Sequence, residues 1–550
     1  RRGFRNNGTT SFDRTNYFST FQATDDNLRW ALEWKSDAMV NSFIAKEDLD
    51  SEMTVVRNEF EMGENQPFRV TYQRLMASAY HWHNYGKAPI GNRSDIENVR
   101  IENLQAFYRL YYQPDNAVLT IAGKFDIEQT LPLIARTFGA IPRPARELPV
   151  LWTVEPTQDG ERSFSVRRKG DVQMILVGYR IPSLLSDSSA ALSAAADILA
   201  DTPNGRLHRE LVQTGLAAQV FGWIDSQRDS GLAIFGAVVK QGDSLERVRD
   251  RLIEVVESGF TKQPPTDDEM TRMRRDNATG FERTLADPQQ FGVQLSEYIA
   301  AGDWRLFFLA RNQIEAVKAD AVAAETARFF RRDNRTVGLF FPEDAPQRAE
   351  IPAPPPAVSM PADFRPREAA AAGEAFDPSQ QNIDARTRRL AVGDLNVALL
   401  PKRNRGETVS VVIRPRWGDE KSLNGKAVVA SLAESMVMRG TAKLSRQQIA
   451  DEMTRLKIQG SVRSFRTDRA NLGEALRLAA HVMREANFPA DEFAQLKRET
   501  ITGLQTQLSD PEPRSRDALA RHFDTYPRGD PRAYIPIEDR IKAVEAATLD

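Results

Sequence analysis

Two glutamates in the stretch Lys46 to Asn65, KEDLDSEMTVVRNEFEMGEN, stand where a helix would be expected to carry apolar residues. At 3.6 residues per turn, Glu52 and Glu59 lie seven apart, about 20° short of two full turns, so they share one face. Leu49, Glu52, Val55, Val56, Glu59 and Phe60 have the i, i+3, i+4, i+7 spacing of a core-facing stripe with two acids embedded in it. Buried carboxylates need a proton, a cation or a metal ion. On these residues alone a plainer account is favoured, in which the stripe is half-buried and the acids are solvated or neutralised by Arg57 and a neighbour.

Around this helix the pattern predicts an extended segment over 3–22, with Phe4, Phe12 and Phe18 among small polar residues, and a helix capped by Thr24-Asp25-Asp26. A third helix is expected from Phe68 to Ala79, then helices over 102–112 and 126–138 flanking a strand from Ala117 to Gly123. The next segment opens with strands SFSVRRKG and VQMILVGYRIP, followed by helices over 187–199 and 205–214 and a hairpin around Ser226 to Ser230. Helices follow near 244–258, 266–283, 287–301 and 314–331, then a strand at 336–341. Mixed strands and helices without strict βαβ alternation predict an α+β fold, with antiparallel or mixed sheets packed against helices.

Composition narrows the function. The chain of 550 residues has a formal net charge of -2, which gives no global basic excess for nucleic acid or anionic membrane. It has no cysteine, which excludes disulfides, thiolate zinc sites and a cysteine nucleophile, so metal chemistry must use the acids and the 5 histidines. No apolar run reaches the length of a membrane span. The His81-Trp82-His83 pair lacks a third ligand at a suitable spacing and reads as loop packing, and Asn204-Gly205-Arg206-Leu207 and Gly302-Asp303-Trp304-Arg305 read as packing and capping motifs.

An internal repeat organises the chain. Ile96-Glu97-Asn98-Val99 matches Ile314-Glu315-Ala316-Val317 at an offset of 218, and the same ungapped offset pairs Tyr111-Tyr112 with Phe329-Phe330 and Asp115-Asn116 with Asp333-Asn334. Four segments are expected: 1–145, a first subdomain carrying the acid helix; 146–341, its homologous copy; 342–382, a Pro/Ala-rich linker; and 383–550, a third, degenerate copy. The third copy is predicted to have strands at 387–400 and 408–415, helices at 425–438 and 445–458, and an extended segment at 460–467. By comparison of the copies, the first lacks two leading helices and the third stops inside a helix the others continue, so the sequence reads as a fragment cut at both ends.

The ordered set GFRNNGTTSFDRTNYF, SEMTVVRNEFEMGEN and YQPDNAVLTIAGKFD resembles the pitrilysin or insulinase family of zinc metallopeptidases, the inverted-motif zincins. The resemblance covers the whole chain and implies two homologous halves, each of two subdomains, joined by a linker. It implies Zn2+ as cofactor, Glu59 as the third zinc ligand and Glu52 as the acid that supports a metal-bound histidine. It also implies an edge strand that pairs with the substrate backbone, here with Gly3, Asn7, Thr10, Asp13, Thr15 and Tyr17 in the family pattern and Gly8 where alanine is usual; Asn7, Gly8 and Thr10 are the expected substrate-binding residues.

The family's H-x-x-E-H motif, with two histidine ligands and the general base, occurs nowhere in the chain, and its place is expected ahead of Arg1. In the third copy, Ser431-Leu432-Ala433-Glu434-Ser435 resembles that motif with both histidines replaced by serine. The implied function is a zinc metalloendopeptidase acting on peptides or unfolded polypeptide enclosed between two halves. The 550 residues alone are expected to be inactive, with a second peptidase-family subunit as a candidate partner. The competing reading is a non-catalytic partner or scaffold subunit of the same fold. The compartment implied is periplasmic or otherwise exported, with the cytoplasm left open.

Overall fold

A computed structural model describes residues 3–170, 172–353 and 372–549. It divides the chain into two compact units, Arg1–Pro352 and Ala353–Asp550. The fold is mixed α+β, with small sheets packed against many helices.

The first unit begins with a hairpin, β1 (Arg5–Thr10) and β2 (Thr15–Thr20), followed by α1 (Asp25–Asn41), α2 (Lys46–Glu64) and α3 (Pro67–Ala79). Thr24 caps α1 by accepting the Asn27 N–H, as a threonine ahead of paired acids should. Helices α4 (Arg93–Glu97), α5 (Ile101–Tyr111) and α6 (Ile127–Thr137) complete this part. The predicted strand at 117–123 is not formed, and Val118 is 66% exposed. A β-branched run is a strand only where a neighbour accepts its ladder, and among the described residues none does.

The next segment builds one five-stranded sheet from β3 (Arg162–Arg168), β4 (Gln173–Ile181), β5 (Gln219–Asp225), β6 (Gly231–Val239) and β7 (Arg335–Pro342). Its order is β3-β7-β4-β6-β5, with β3 and β7 parallel and every other pair antiparallel. Buried on both faces, β4 and β6 are near-continuous apolar runs. One face packs on α7 (Ser189–Ala200), α8 (Leu245–Lys262) and later helices through Leu192, Leu199, Leu252, Val256 and Phe330. The other face receives α3, with Leu75 and Met76 packed among Leu176, Leu232 and Ile234. A methyl group at Gly178 would meet Leu75 Cδ2 at 3.3 Å, so the missing side chain is what lets α3 approach the strand closely. The third helix of the first segment thus closes the core of the second.

Helices α9 (Asp267–Ala286), α10 (Pro288–Ala301), α11 (Leu306–Ala316) and α12 (Ala319–Phe329) follow. The single helix expected over 314–331 is therefore broken: Val317 is extended, and α12 restarts after Lys318. The offset of 218 recurs in geometry. Asn116 donates to Tyr111 O at 3.0 Å and Asn334 to Phe329 O at 2.7 Å, the same side chain satisfying the same helix-end carbonyl in both copies.

Of the expected linker 342–382, residues 354–371 lie outside the described residues. Its last part is helical, α13 (Gln380–Arg386) capped by Ser379. The predicted strand 387–400 is a hairpin, β8 (Arg388–Val392) and β9 (Leu395–Leu399), turning at Gly393. Next come β10 (Thr408–Val412), α14 (Ala427–Met436), α15 (Arg446–Arg455), β11 (Gln459–Ser461), β12 (Ser464–Asp468) and α16 (Leu472–Glu485). The unit ends with α17 (Ala490–Ser509), α18 (Pro511–Phe523) and α19 (Ile537–Ala546). One core lies between the sheet β10-β12-β11 and helices α15 and α16, and a second joins α14, α17 and α19.

Candidate functional site

Helix α2 carries both candidate acids over its 19 residues, starting from an extended Ala45 with Glu47 and Asp48 in the first turn, where acids favour the helix dipole. Of the predicted stripe, Leu49 is buried and Val56 and Phe60 are half-buried, whereas Glu52, Val55 and Glu59 are exposed. The face bearing the acids is therefore open rather than core-covered, which fits the plainer account of a half-buried stripe with solvated acids and not a fully embedded one. What helical periodicity fixes is which residues share a face; what covers that face depends on neighbours. Among the described residues Glu59 has a single loose ion pair, 3.8 Å from Arg69 Nη2, with both side chains about half exposed. Arg57 pairs with Glu61 at 3.9 Å and so does not neutralise either acid. The helix is anchored at its C-terminal end, where Arg168 donates to Glu64 O at 2.7 Å and to Glu64 Oε2 at 2.6 Å.

Asn7, Gly8 and Thr10 lie on β1, opposite Phe18, Tyr17 and Thr15 of β2. Among the described residues β1 pairs with β2 alone, which leaves its other edge without a strand partner, and five of its six residues are exposed. Gly8 departs from the usual alanine for a local reason: a Cβ there would meet Asn16 O at 3.1 Å and the Tyr17 ring at 3.2 Å. Asn7 turns its Oδ1 to the Gly8 N–H at 2.9 Å. No hydrogen bond or ion pair joins the α2 acids to β1 among the described residues, so the two candidate features are separate pieces of one unit.

The hairpin is fixed from outside. Asp13, in its turn, accepts the Tyr85 hydroxyl at 2.7 Å and the Arg228 N–H at 2.9 Å. Arg14 pairs with Glu297 of α10, and Asn16 donates to Ser296 at 3.0 Å. These anchors were invisible to sequence reading, since they join residues more than 70 positions apart.

The histidine loop is structural. Glu155, buried, accepts the N–H groups of His81, Trp82 and His83 at 2.8–2.9 Å. Burial alone would raise its pKa, but these three donors and the nearby Arg180 guanidinium outweigh it and hold the carboxylate below its ordinary range. His83 Nδ1 accepts from the Tyr85 N–H and its Nε2 lies 3.1 Å from Asp229, so both ring nitrogens are used within the fold. The Asn204–Leu207 motif is a packing device. All five Arg206 donors are satisfied, by Glu269, Gly259 O, Gln263 O and Pro264 O. In Gly302–Arg305, Asp303 Oδ1 accepts the Arg305 N–H at 2.8 Å.

A zinc ion of the kind the resemblance implies needs three protein ligands in an open tetrahedral set. Among the described residues no group of three or more His, Cys, Asp and Glu side chains could hold a metal. Among the described residues Glu59 offers one carboxylate and no imidazole joins it in a ligand group, so these residues do not by themselves make a zinc site. No helix among the described residues is long and apolar enough to cross a membrane.

Comparison with known proteins gives a consistent picture. Residues 98–276 match a family profile described as the peptidase M16 inactive domain. The chain is 26% identical over 338 residues to the zinc protease PqqE of Helicobacter pylori, covering 61% of this chain and 75% of that protein. A solved protease from Helicobacter pylori shares the fold with a TM-score of 0.59 at 23% identity, over 62% of this chain and 83% of that one. The periplasmic protease PqqL from Escherichia coli aligns with 98% of this chain and 64% of its own, at a TM-score of 0.50 and 15% identity. The duplicated helix-to-strand joint, the acid helix, the edge hairpin and these matches converge on one conclusion: the chain belongs to the pitrilysin-type peptidase family M16.

Proposed function

We propose that this chain forms part of a zinc metalloendopeptidase that cleaves peptides or unfolded polypeptide, with Glu59 as a carboxylate ligand and Glu52 as its support. The observation that carries this reading is the open face of α2, where two acids two turns apart are exposed and, among the described residues, Glu59 has only the loose 3.8 Å pair with Arg69. Support comes also from the name of the PqqE relative. When bound, zinc would polarise the scissile carbonyl and acidify a water. The two imidazoles and the general base would come from outside residues 1–550, from a flanking segment or a second peptidase-family subunit. The chain's own contribution to substrate is the outer edge of β1, where the stretch Asn7, Gly8 and Thr10 can receive an extended peptide as a further strand. A periplasmic or exported setting goes with the same reading, supported by the likeness to the periplasmic protease PqqL from Escherichia coli.

A non-catalytic partner subunit is the second reading, favoured by the inactive-domain description of the matched profile and by the absence of H-x-x-E-H from the sequence. Zinc content and turnover of a quenched peptide separate the two. Residues 1–550 alone should bind zinc weakly at most and turn over nothing. Combined with the segment or subunit that completes the site, they should hold one zinc per chain, lost in Glu59→Gln. Zinc and turnover unaffected by Glu59→Gln would refute the assignment, and an assembly with neither would favour the partner role.

A further inference from the structure

The second unit repeats the acid spacing of α2. At an offset of 440, Glu52 and Glu59 fall on Glu492 and Glu499, Val56 on Leu496 and Arg57 on Lys497, all on α17. The surroundings of the two pairs differ. Where Glu52 and Glu59 stand on an open face, Glu492 and Glu499 converge on one guanidinium: Arg439 Nη1 lies 3.1 Å from Glu492 Oε2, and Nη2 lies 2.6 Å from Glu499 Oε2. Arg439 is buried, at 8% exposure, just beyond the Ser431–Ser435 stretch where serines replace the motif's histidines. Within that stretch Glu434 is also taken by a cation, Arg463, at 2.6 Å. Arg446 Nη1 adds a second contact to Glu492 at 3.2 Å, and Gln495 donates to Glu499 at 2.8 Å.

Carboxylates seven residues apart on a helix start about 10 Å apart along its axis, so they meet at one point only when their side chains bend toward a shared positive charge. A buried guanidinium in turn needs acceptors at both ends of its fork and a negative charge nearby. We propose that Arg439 is the resident cation of this second acid pair, filling between Glu492 and Glu499 the place a divalent ion could occupy and making the unit independent of metal there. The proposal does not rest on the peptidase reading, because the Arg439–Glu492–Glu499 triplet exists whether or not α2 binds zinc. In keeping with it, Glu499 is held below the ordinary carboxylate range, first by its hydrogen bond to Arg439 and then by Gln495. A purely space-filling role would need the volume of Arg439 and not its charge.

The test uses residues 1–550, with hydrogen exchange followed across α14, α17 and α19. Arg439→Met should speed exchange there by about tenfold or more, since it removes the cation the two carboxylates share. Adding Glu492→Gln and Glu499→Gln to Arg439→Met should restore most of the protection. Excess Zn2+ should slow exchange in Arg439→Met but leave the wild-type chain and the triple variant unchanged. A triple variant that exchanges as fast as Arg439→Met, or a zinc response no larger in Arg439→Met than in the wild type, would overturn the proposal. If Arg439→Met does not fold, the triple variant decides: it folds if Arg439 acts through its charge, and its failure to fold counts against the idea.

Discussion

Asp13 and Tyr85 meet through a 2.7 Å hydrogen bond from the phenol to the carboxylate, and the same carboxylate accepts the Arg228 N–H. The turn of the exposed hairpin is thereby clamped to a loop of the five-stranded sheet, and the ends of β1 are held in place while its edge stays free. Burial and the Asp13 bond also push the Tyr85 hydroxyl well above its ordinary pKa. Asp13→Ala should cost about 1–3 kcal/mol locally by leaving the buried phenol without its charged acceptor. The check is faster amide exchange across 5–20 with the exchange of β4 and β6 unchanged.

The acids of α2 should be silent in folding. Because Glu52 and Glu59 are exposed, Glu52→Gln and Glu59→Gln should each shift stability by within about 0.5 kcal/mol in thermal unfolding of residues 1–550. A larger loss from either would mean that the face is covered.

Stability should fall in acid through Glu269. Burial raises the pKa of this carboxylate, but the Arg206 hydrogen bonds, the Thr266 N–H and Arg209 outweigh it and bring it down to about 2. A folded pKa below the unfolded one gives a contribution present in full above about pH 4.5 and lost as pH falls toward 2. Glu269→Gln should remove this part of the acid sensitivity, measured as the difference in denaturation midpoint between pH 6 and pH 3, at a cost at pH 6 of about 3–5 kcal/mol from stranding buried Arg206.

Packing of α3 on the sheet should be the first unit's most sensitive joint. Leu75 and Leu176 are both fully buried, and Leu75→Ala should cost about 2–5 kcal/mol, read as a lowered denaturant midpoint.

Local chemistry was legible in the sequence. Thr24 ahead of Asp25-Asp26 marked the start of α1, and the run VQMILVGYRIP marked a strand. The offset of 218 was readable because Asn116 and Asn334 do the same work at the same helix end. The failures share one cause. Residues 117–123 have strand composition without a strand partner, and Glu52 and Glu59 have core spacing without a cover, because pairing and burial are properties of neighbours rather than of a segment. The Arg439 triplet and the Asp13 clamp escaped for the related reason that their partners are far away in the chain.

The strand order of the large sheet also has a meaning for biosynthesis. Strand β7 lies between β3 and β4, with Thr336 reaching back to Arg162 and Val337 to Val177. As the polypeptide leaves the ribosome, β4, β5 and β6 can assemble early, but the apolar edge of β4 stays uncovered until residue 342 has emerged. Through that interval the nascent chain offers an open edge of the kind that aggregates or recruits chaperones. A stop codon anywhere before Arg335 would make that transient hazard permanent.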